Sequence, residues 1–178
     1  MPFFPSLPED ATTAEIFGAD PDFFASFLDF SHRVMRGDSP LSVAERELIG
    51  AYVSGLNACA YCAGGHRAAA VEFGVDPGLF DRLLGDIDRA PVDDKLRPLL
   101  KFLRKLTLEA NRVSQPDADA VFAAGWSERA LRDAIFVCGL FNCMNRVVKG
   151  HGIVPDPNQF AARGHRTATH GYRPDLGA

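Results

Sequence analysis

Helix start and stop signals follow one another along this chain at short intervals, and nothing comparable marks a strand. Asp20-Pro21 pairs a capping side chain with a proline at the first helical position. Phe23, Phe24, Phe27, Leu28, Val34 and Met35 then recur at helical spacing up to Gly37. Ser42-Val-Ala-Glu45 is a capping box opening a helix with Leu48, Ile49, Tyr52, Val53 and Leu56. Asn57 reads as the cap of a further helix, Ala58 to Phe73, closed by Gly74. Asp76-Pro77 starts a short helix through Leu84. A helix from about Asp93 to Ala110 carries Leu96, Leu99, Leu100, Leu103 and Leu106, with Pro98 in its first turn or at a kink. Ser114-Gln-Pro-Asp117 opens a helix ended by Gly125, and Ser127-Glu128 opens the last long one, to about Lys149. Val and Ile are scattered, and no alternating run is bounded by a hairpin dipeptide. The expectation is an all-α bundle of about seven helices joined by short connections.

The 178 residues suffice for one domain, or two very small ones, with a substantial core, and 47% hydrophobic against 24% charged is ordinary for a globular chain. The net charge is -4 and no long basic block is present, which argues against nucleic acid as a partner. The start, Met1-Pro2-Phe3-Phe4-Pro5, has no basic flank and meets Glu9 and Asp10 before any long apolar run, so no secretory signal is read and a cytoplasmic address is expected. Ile49 to Gly65 carries no charge, but Ser54, Asn57 and two cysteines interrupt it and it falls short of the ~20 apolar residues a bilayer demands. It reads as buried protein rather than a membrane span. After Pro155 the composition turns to Pro, Gly, Arg, His and Thr without periodicity. Residues 1–154 are therefore expected to form the domain, and 155–178 an irregular tail that wraps over a surface or a neighbouring subunit, or stays loose. An echo of Val53–Cys59 in Val137–Cys143, at four of seven positions, hints at a repeated helical unit.

The chemistry-bearing residues lie between Glu47 and His66. Glu47 is followed after eleven residues by Cys59-Ala-Tyr-Cys62, and after three more by His66. If Asn57 and Ala58 turn the chain between two antiparallel helices, Glu47 and His66 both stand roughly 12 to 15 Å from the turn at ~1.5 Å per residue, level with one another. A hydrogen bond between them is then feasible. Cys62 and His66 are spaced i, i+4 and share one helix face. Cys59 falls at the second position of the same helix, where free N–H groups and the positive end of the macrodipole favour a thiolate. Carboxylate, imidazole and thiol in series follow the logic of activated cysteines, and a second thiol one turn away allows a sulfenic acid to resolve as a disulfide.

Plainer readings attach to the same residues. Two small cysteines can simply pack in a helix hairpin, with His66 a satisfied core histidine and Glu47 a surface acid. Cys-x2-Cys-x3-His supplies three zinc ligands, but no fourth stands at a usual spacing, so Glu47 or His151 would have to complete the set. Haem attachment needs a histidine where Ala63 stands, and a thioredoxin-like fold needs a strand before the motif. Cys138 and Cys143, five apart on one helix and offset in azimuth, read as core residues. Trp126 reads as a packing anchor, and His32 either faces a site or, as a lone histidine usually does, solvates its helix. Asn142, Asn145 and Arg146 are candidates to line a cavity or a subunit interface.

The run from Glu47 through Cys59-Ala-Tyr-Cys62 to His66, followed by a helix ending in Glu72-Phe-Gly74, resembles the core motif of the alkylhydroperoxidase D (AhpD)-like and carboxymuconolactone decarboxylase superfamily. Leu131 to Arg146 is similar to the second half of its peroxidase-related branch, so the resemblance spans about residues 20–153. It implies an AhpD-like helical bundle built around a helix hairpin carrying the CxxC motif, assembled as a dimer, trimer or hexamer. It implies a cofactor-free, peroxiredoxin-type alkyl hydroperoxide reductase acting on a small hydroperoxide and served by a dithiol electron donor. Cys62 would attack the peroxide, Cys59 would resolve it, and Glu47 and His66 would form the proton relay; the dipole argument ranks Cys59 as the more acidic thiol instead. Founding members often carry a histidine directly before the second cysteine, where this chain has Tyr61, whose phenol is a poor base at neutral pH. Tyr61 and Asn145 are taken as site-lining candidates. Two alternatives remain: a carboxymuconolactone decarboxylase-like enzyme acting on a small organic acid without thiol redox, and an oligomeric redox-sensing or binding module without turnover.

Overall fold

The computed structural model describes residues 1–172, and every regular element among them is helical. All seven predicted helices are present: α2 (Pro21–Arg36), α3 (Val43–Leu56), α4 (Ala60–Glu72), α5 (Leu79–Gly85), α6 (Leu96–Leu108), α7 (Gln115–Ala123) and α8 (Glu128–Gly150). Two more flank them, α1 (Thr13–Gly18) and α9 (Phe160–His170). The capping chemistry fixes these starts. Asp20 accepts from the Phe23 N–H, Ser127 from that of Ala130, and Ser42 and Ser114 form capping boxes with Glu45 and Asp117. Pro98 is the third residue of α6, within the first turn, where no intrahelical donor is lost.

The core lies where α3, α6 and α8 face one another, around Ile49, Tyr52, Val53, Leu99, Leu100, Leu103, Val121, Ala134 and Val137. Helix α3 is the central element. From Arg46 to Ser54 every residue is buried, which is what the uncharged stretch after Glu47 encodes. A second, smaller apolar cluster sits at one end of the bundle, where Ala11 and Ile16 meet Cys59, Tyr61, Cys62, Val148 and Ile153. The thiols therefore lie inside this cluster, away from the main core. No helix of the described residues is long and apolar enough to cross a membrane.

Two expectations need correction. Asn57 does not open α4; it closes α3, because Ala58 turns into the left-handed region (φ 52°) and the N–H groups of Ala58 and Cys59 return to the carbonyls of Gly55 and Ser54. Helix α4 consequently begins at Ala60, and Cys59 is its N-cap residue rather than its second helical position. The tail is not irregular either, since α9 occupies residues 160–170 and packs along α4; Arg173 to Ala178 lie outside the described residues. The contact is made by small residues. A Cβ on Gly64 would stand 2.2 Å from the Phe160 ring, and one on Gly164 would stand 2.4 Å from the Ala68 Cβ. A helix that docks through glycine, alanine, one aromatic ring and one arginine shows no apolar stripe, which is why periodicity missed it.

Candidate active site

The two thiols meet at the start of α4. Cys59 and Cys62 are free and buried, with their sulfurs 3.0 Å apart and hydrogen-bonded. Contact with Cys62 is the largest influence on Cys59. Together with the N-terminal N–H of Cys62, the Lys149 ammonium and the Asn145 amide, it outweighs burial and draws the Cys59 thiol down to about 7. The same contact, with deeper burial, pushes the Cys62 thiol up. Within the pair Cys59 is the thiol favoured for ionisation, the direction that the helix-end argument gives. Asn145 of α8 is held there by polar partners, donating to the Ser54 hydroxyl (3.0 Å) and accepting from the Asn57 amide (2.9 Å).

Glu47 anchors a second cluster. Its side chain is 0% exposed, yet three donors converge on it. Oε2 pairs with His66 Nδ1 at 2.8 Å, while Oε1 accepts from the Arg36 guanidinium at 2.7 Å and from the Tyr172 hydroxyl at 2.8 Å. Burial alone would raise the Glu47 carboxyl, but the His66 and Arg36 contacts together hold it below its ordinary value. Burial and the neighbouring carboxylate push the Tyr172 phenol well up, so it remains a protonated donor. The His66 ring is packed edge-on against Phe141 (4.5 Å between centroids) and lies parallel to Tyr172 (5.9 Å). Gly50 permits this approach, because a Cβ there would meet the Phe141 ring at 2.5 Å. An imidazole that gives its Nδ1 proton to a carboxylate keeps Nε2 as an acceptor, the tautomer a base requires.

The level spacing of Glu47 and His66 read from the sequence therefore corresponds to a direct contact. Among the described residues no hydrogen bond joins either of them to a sulfur; Cys62 and His66 are linked only by their shared turn of α4. The Tyr61 hydroxyl accepts from the Thr13 N–H of α1 (3.1 Å), and its ring lies beneath the Arg163 guanidinium, 3.6 Å from the centroid. Cys138 is buried as expected, but Cys143 is exposed, since it falls off the α8 stripe formed by Ala134, Cys138, Phe141, Asn145 and Val148. His32 meets the tail, with the Tyr172 N–H 3.4 Å from its Nδ1. Trp126 anchors packing, its Nε1–H donating to the Lys95 carbonyl at 2.7 Å. Arg36, Arg163 and Tyr172 were not foreseen: they come from a helix C-terminus and from the aperiodic tail, where no motif marks them. Among the described residues no three Cys, His, Asp or Glu side chains are grouped to hold a metal ion.

Residues 21–90 match the model of the carboxymuconolactone decarboxylase family. An uncharacterized peroxidase-related protein from Silicibacter sp. TM1040 superposes with a TM-score of 0.76 at 29% identity, over 83% of this chain and 78% of that one. In sequence over residues 21–90 and in fold, the chain is thus similar to the AhpD-like/carboxymuconolactone decarboxylase superfamily. A second solved structure, an uncharacterized peroxidase-related protein from Ralstonia eutropha JMP134 described as an alkylhydroperoxidase AhpD core, gives a TM-score of 0.74 at 25% identity, over 82% and 76% of the two chains. Human Sestrin-2 is 29% identical over 146 residues, which is 80% of this chain but 29% of that protein. The chain thus spans about three tenths of the length of the curated relatives it matches. The family match contains Arg36, Glu47, both thiols and His66, whereas Asn145, Arg163 and Tyr172 lie beyond it.

Proposed function

We propose that the protein is a cysteine-based alkyl hydroperoxide reductase that cycles Cys59 and Cys62 between dithiol and disulfide. The observation that carries this reading is a buried pair of sulfurs at 3.0 Å, one of them drawn to about 7, one helical turn from an imidazole oriented by a buried carboxylate. The Cys59 thiolate attacks the terminal oxygen of the hydroperoxide. A sulfur–oxygen bond forms, the O–O bond breaks, and the alkoxide takes up a proton to leave as the alcohol. Cys62 then passes its proton to His66 and attacks the Cys59 sulfenic acid, and hydroxide leaves with that proton as water. Two thiols are oxidised to one disulfide, and the peroxide is reduced to alcohol and water. A dithiol donor restores the pair by exchange. Glu47, Arg36 and Tyr172 hold the imidazole in the accepting tautomer.

A reducing compartment such as the cytoplasm suits a protein whose four cysteines are free. A homo-oligomer is supported by apolar side chains left open on α2 and α8, where exposed Phe30 and Phe136 meet edge to face at 6.2 Å beside exposed Ile135. Sulfenic acid trapping tests the chemistry. With one equivalent of an organic hydroperoxide and dimedone, Cys62→Ser is expected to accumulate the adduct on Cys59, while Cys59→Ser stays unlabelled. Labelling of Cys62 in Cys59→Ser alone reverses the attack order. Turnover of a small organic acid that survives thiol alkylation supports the decarboxylase-like reading, and a pair that oxidises once without turnover supports a sensing module.

A further inference from the structure

Arg163 projects from α9 onto the face of α4 that carries the redox motif. Its guanidinium sits over the Tyr61 ring, 3.6 Å from the centroid, and Nη1 donates to the Tyr61 carbonyl at 3.2 Å. Nη2 stands 3.1 Å from the point a Cβ on Gly65 would occupy, so the motif helix is notched to receive the cation. Among the described residues no carboxylate pairs with it. Burial disfavours its charge, and the groups that restore it are Tyr61, Cys62 and Cys59. Guanidinium stays protonated at any accessible pH, so a partly buried one needs an anion nearby. The other groups around the thiols are Ser54 and Asn57 at the end of α3, His66 on α4, and Asn145 and Lys149 on α8. Glu47, the nearby carboxylate of α3, is already engaged by Arg36, His66 and Tyr172. Among the described residues the remaining source of negative charge is the sulfur pair.

We propose that Arg163 is a positioning cation for the thiol pair, delivered by the C-terminal helix to hold the thiolate of the reduced state and so set the pH at which the pair becomes reactive. Lys149 of α8 favours the charged form of Cys59 and Arg163 of α9 that of Cys62, so cations from two different helices act on the pair. The family match ends at residue 90, so this group lies outside the motif it serves. The inference deepens the redox reading but requires only the thiolate, not peroxide turnover.

The test is the ionisation of the reduced pair, followed by thiolate absorbance at 240 nm and by the pH dependence of iodoacetamide alkylation mapped to Cys59. A Cys143→Ser background removes the exposed thiol. The parent is expected to ionise near 7. Removing a unit charge within Coulomb reach at an effective dielectric of ~20 is expected to raise the midpoint by about one pH unit in Arg163→Met. Arg163→Lys, which keeps the charge and loses the stacked plane, is expected to stay close to the parent. An unmoved midpoint in folded Arg163→Met, or an equal rise in Arg163→Lys, overturns the proposal. If Arg163→Met does not fold, Arg163→Gln, which keeps a polar planar group without the charge, is read in its place: an upward shift supports the proposal and no shift overturns it. A shift without peroxide turnover keeps this inference and removes the reductase reading, and turnover without a shift does the reverse.

Discussion

Glu47→Gln is isosteric and removes one charge from the most buried polar position of the site. The carboxylate is 0% exposed and receives three donors, from Arg36, His66 and Tyr172, while the Arg36 side chain is 12% exposed. An amide in its place offers one oxygen and an NH2 group that faces donors, so one contact becomes donor against donor and the guanidinium loses its anion. Breaking a buried pair from one side costs 3–5 kcal/mol, and the residual exposure of Arg36 puts this case near the lower end, about 3 kcal/mol. With a urea slope of roughly 2–3 kcal/mol/M for a chain of this size, the unfolding midpoint at pH 7 is expected to fall by about 1 M. The sign of the pH dependence follows from the depressed carboxyl. Its stabilisation is complete above the unfolded glutamate value of ~4.3 and is lost as pH falls through the lower folded value, so the gap between parent and variant should narrow in acid. Urea titrations followed by far-UV circular dichroism, with the thiols reduced, measure both. A midpoint unchanged at pH 7, or a gap that widens below pH ~4, would refute the assignment of Glu47 as an ionised hub.

Tyr172→Phe removes one donor from Glu47 and the 3.2 Å contact to His66 Nδ1. It is expected to cost about 1 kcal/mol and to slow oxidation of the thiol pair, read by thermal unfolding and stopped-flow. Gly64→Ala places a Cβ 2.2 Å from the Phe160 ring, so α9 must lift from α4. The expected loss is about 1–3 kcal/mol, partly recovered when Phe160→Ala is added, and strict additivity of the two would contradict the close contact.

Much of the bundle was legible because capping is local chemistry: Ser42 with Glu45, Asp20 with Pro21 and Ser127 each specify a helix start from within four residues. The register of Glu47 against His66 was legible for a similar reason, since two helices joined by a short turn measure distance by residue count. The turn itself was misplaced, because an alanine in the left-handed region leaves no signal of the kind a glycine would. Arg36, Arg163 and Tyr172 were not legible. Each reaches the site by packing between elements far apart in sequence, and α9 docks through glycine and alanine rather than through an apolar stripe. The exposure of Cys143 shows the converse: its azimuth relative to Cys138 follows from the five-residue spacing, yet its residue type suggests a core position.

The central claim is that Cys59 and Cys62 form an activated redox pair, and the exposed Cys143 provides an internal reference within the same molecule. Fully reduced protein mixed with one equivalent of an organic hydroperoxide, quenched at intervals and read by peptide mass, gives the rate at which each thiol is consumed. The expected result is a Cys59–Cys62 disulfide that forms far faster than Cys143 is oxidised, although both sulfurs of the pair are buried. A pair that stays reduced while Cys143 reacts would contradict the account and return the motif to a purely architectural role.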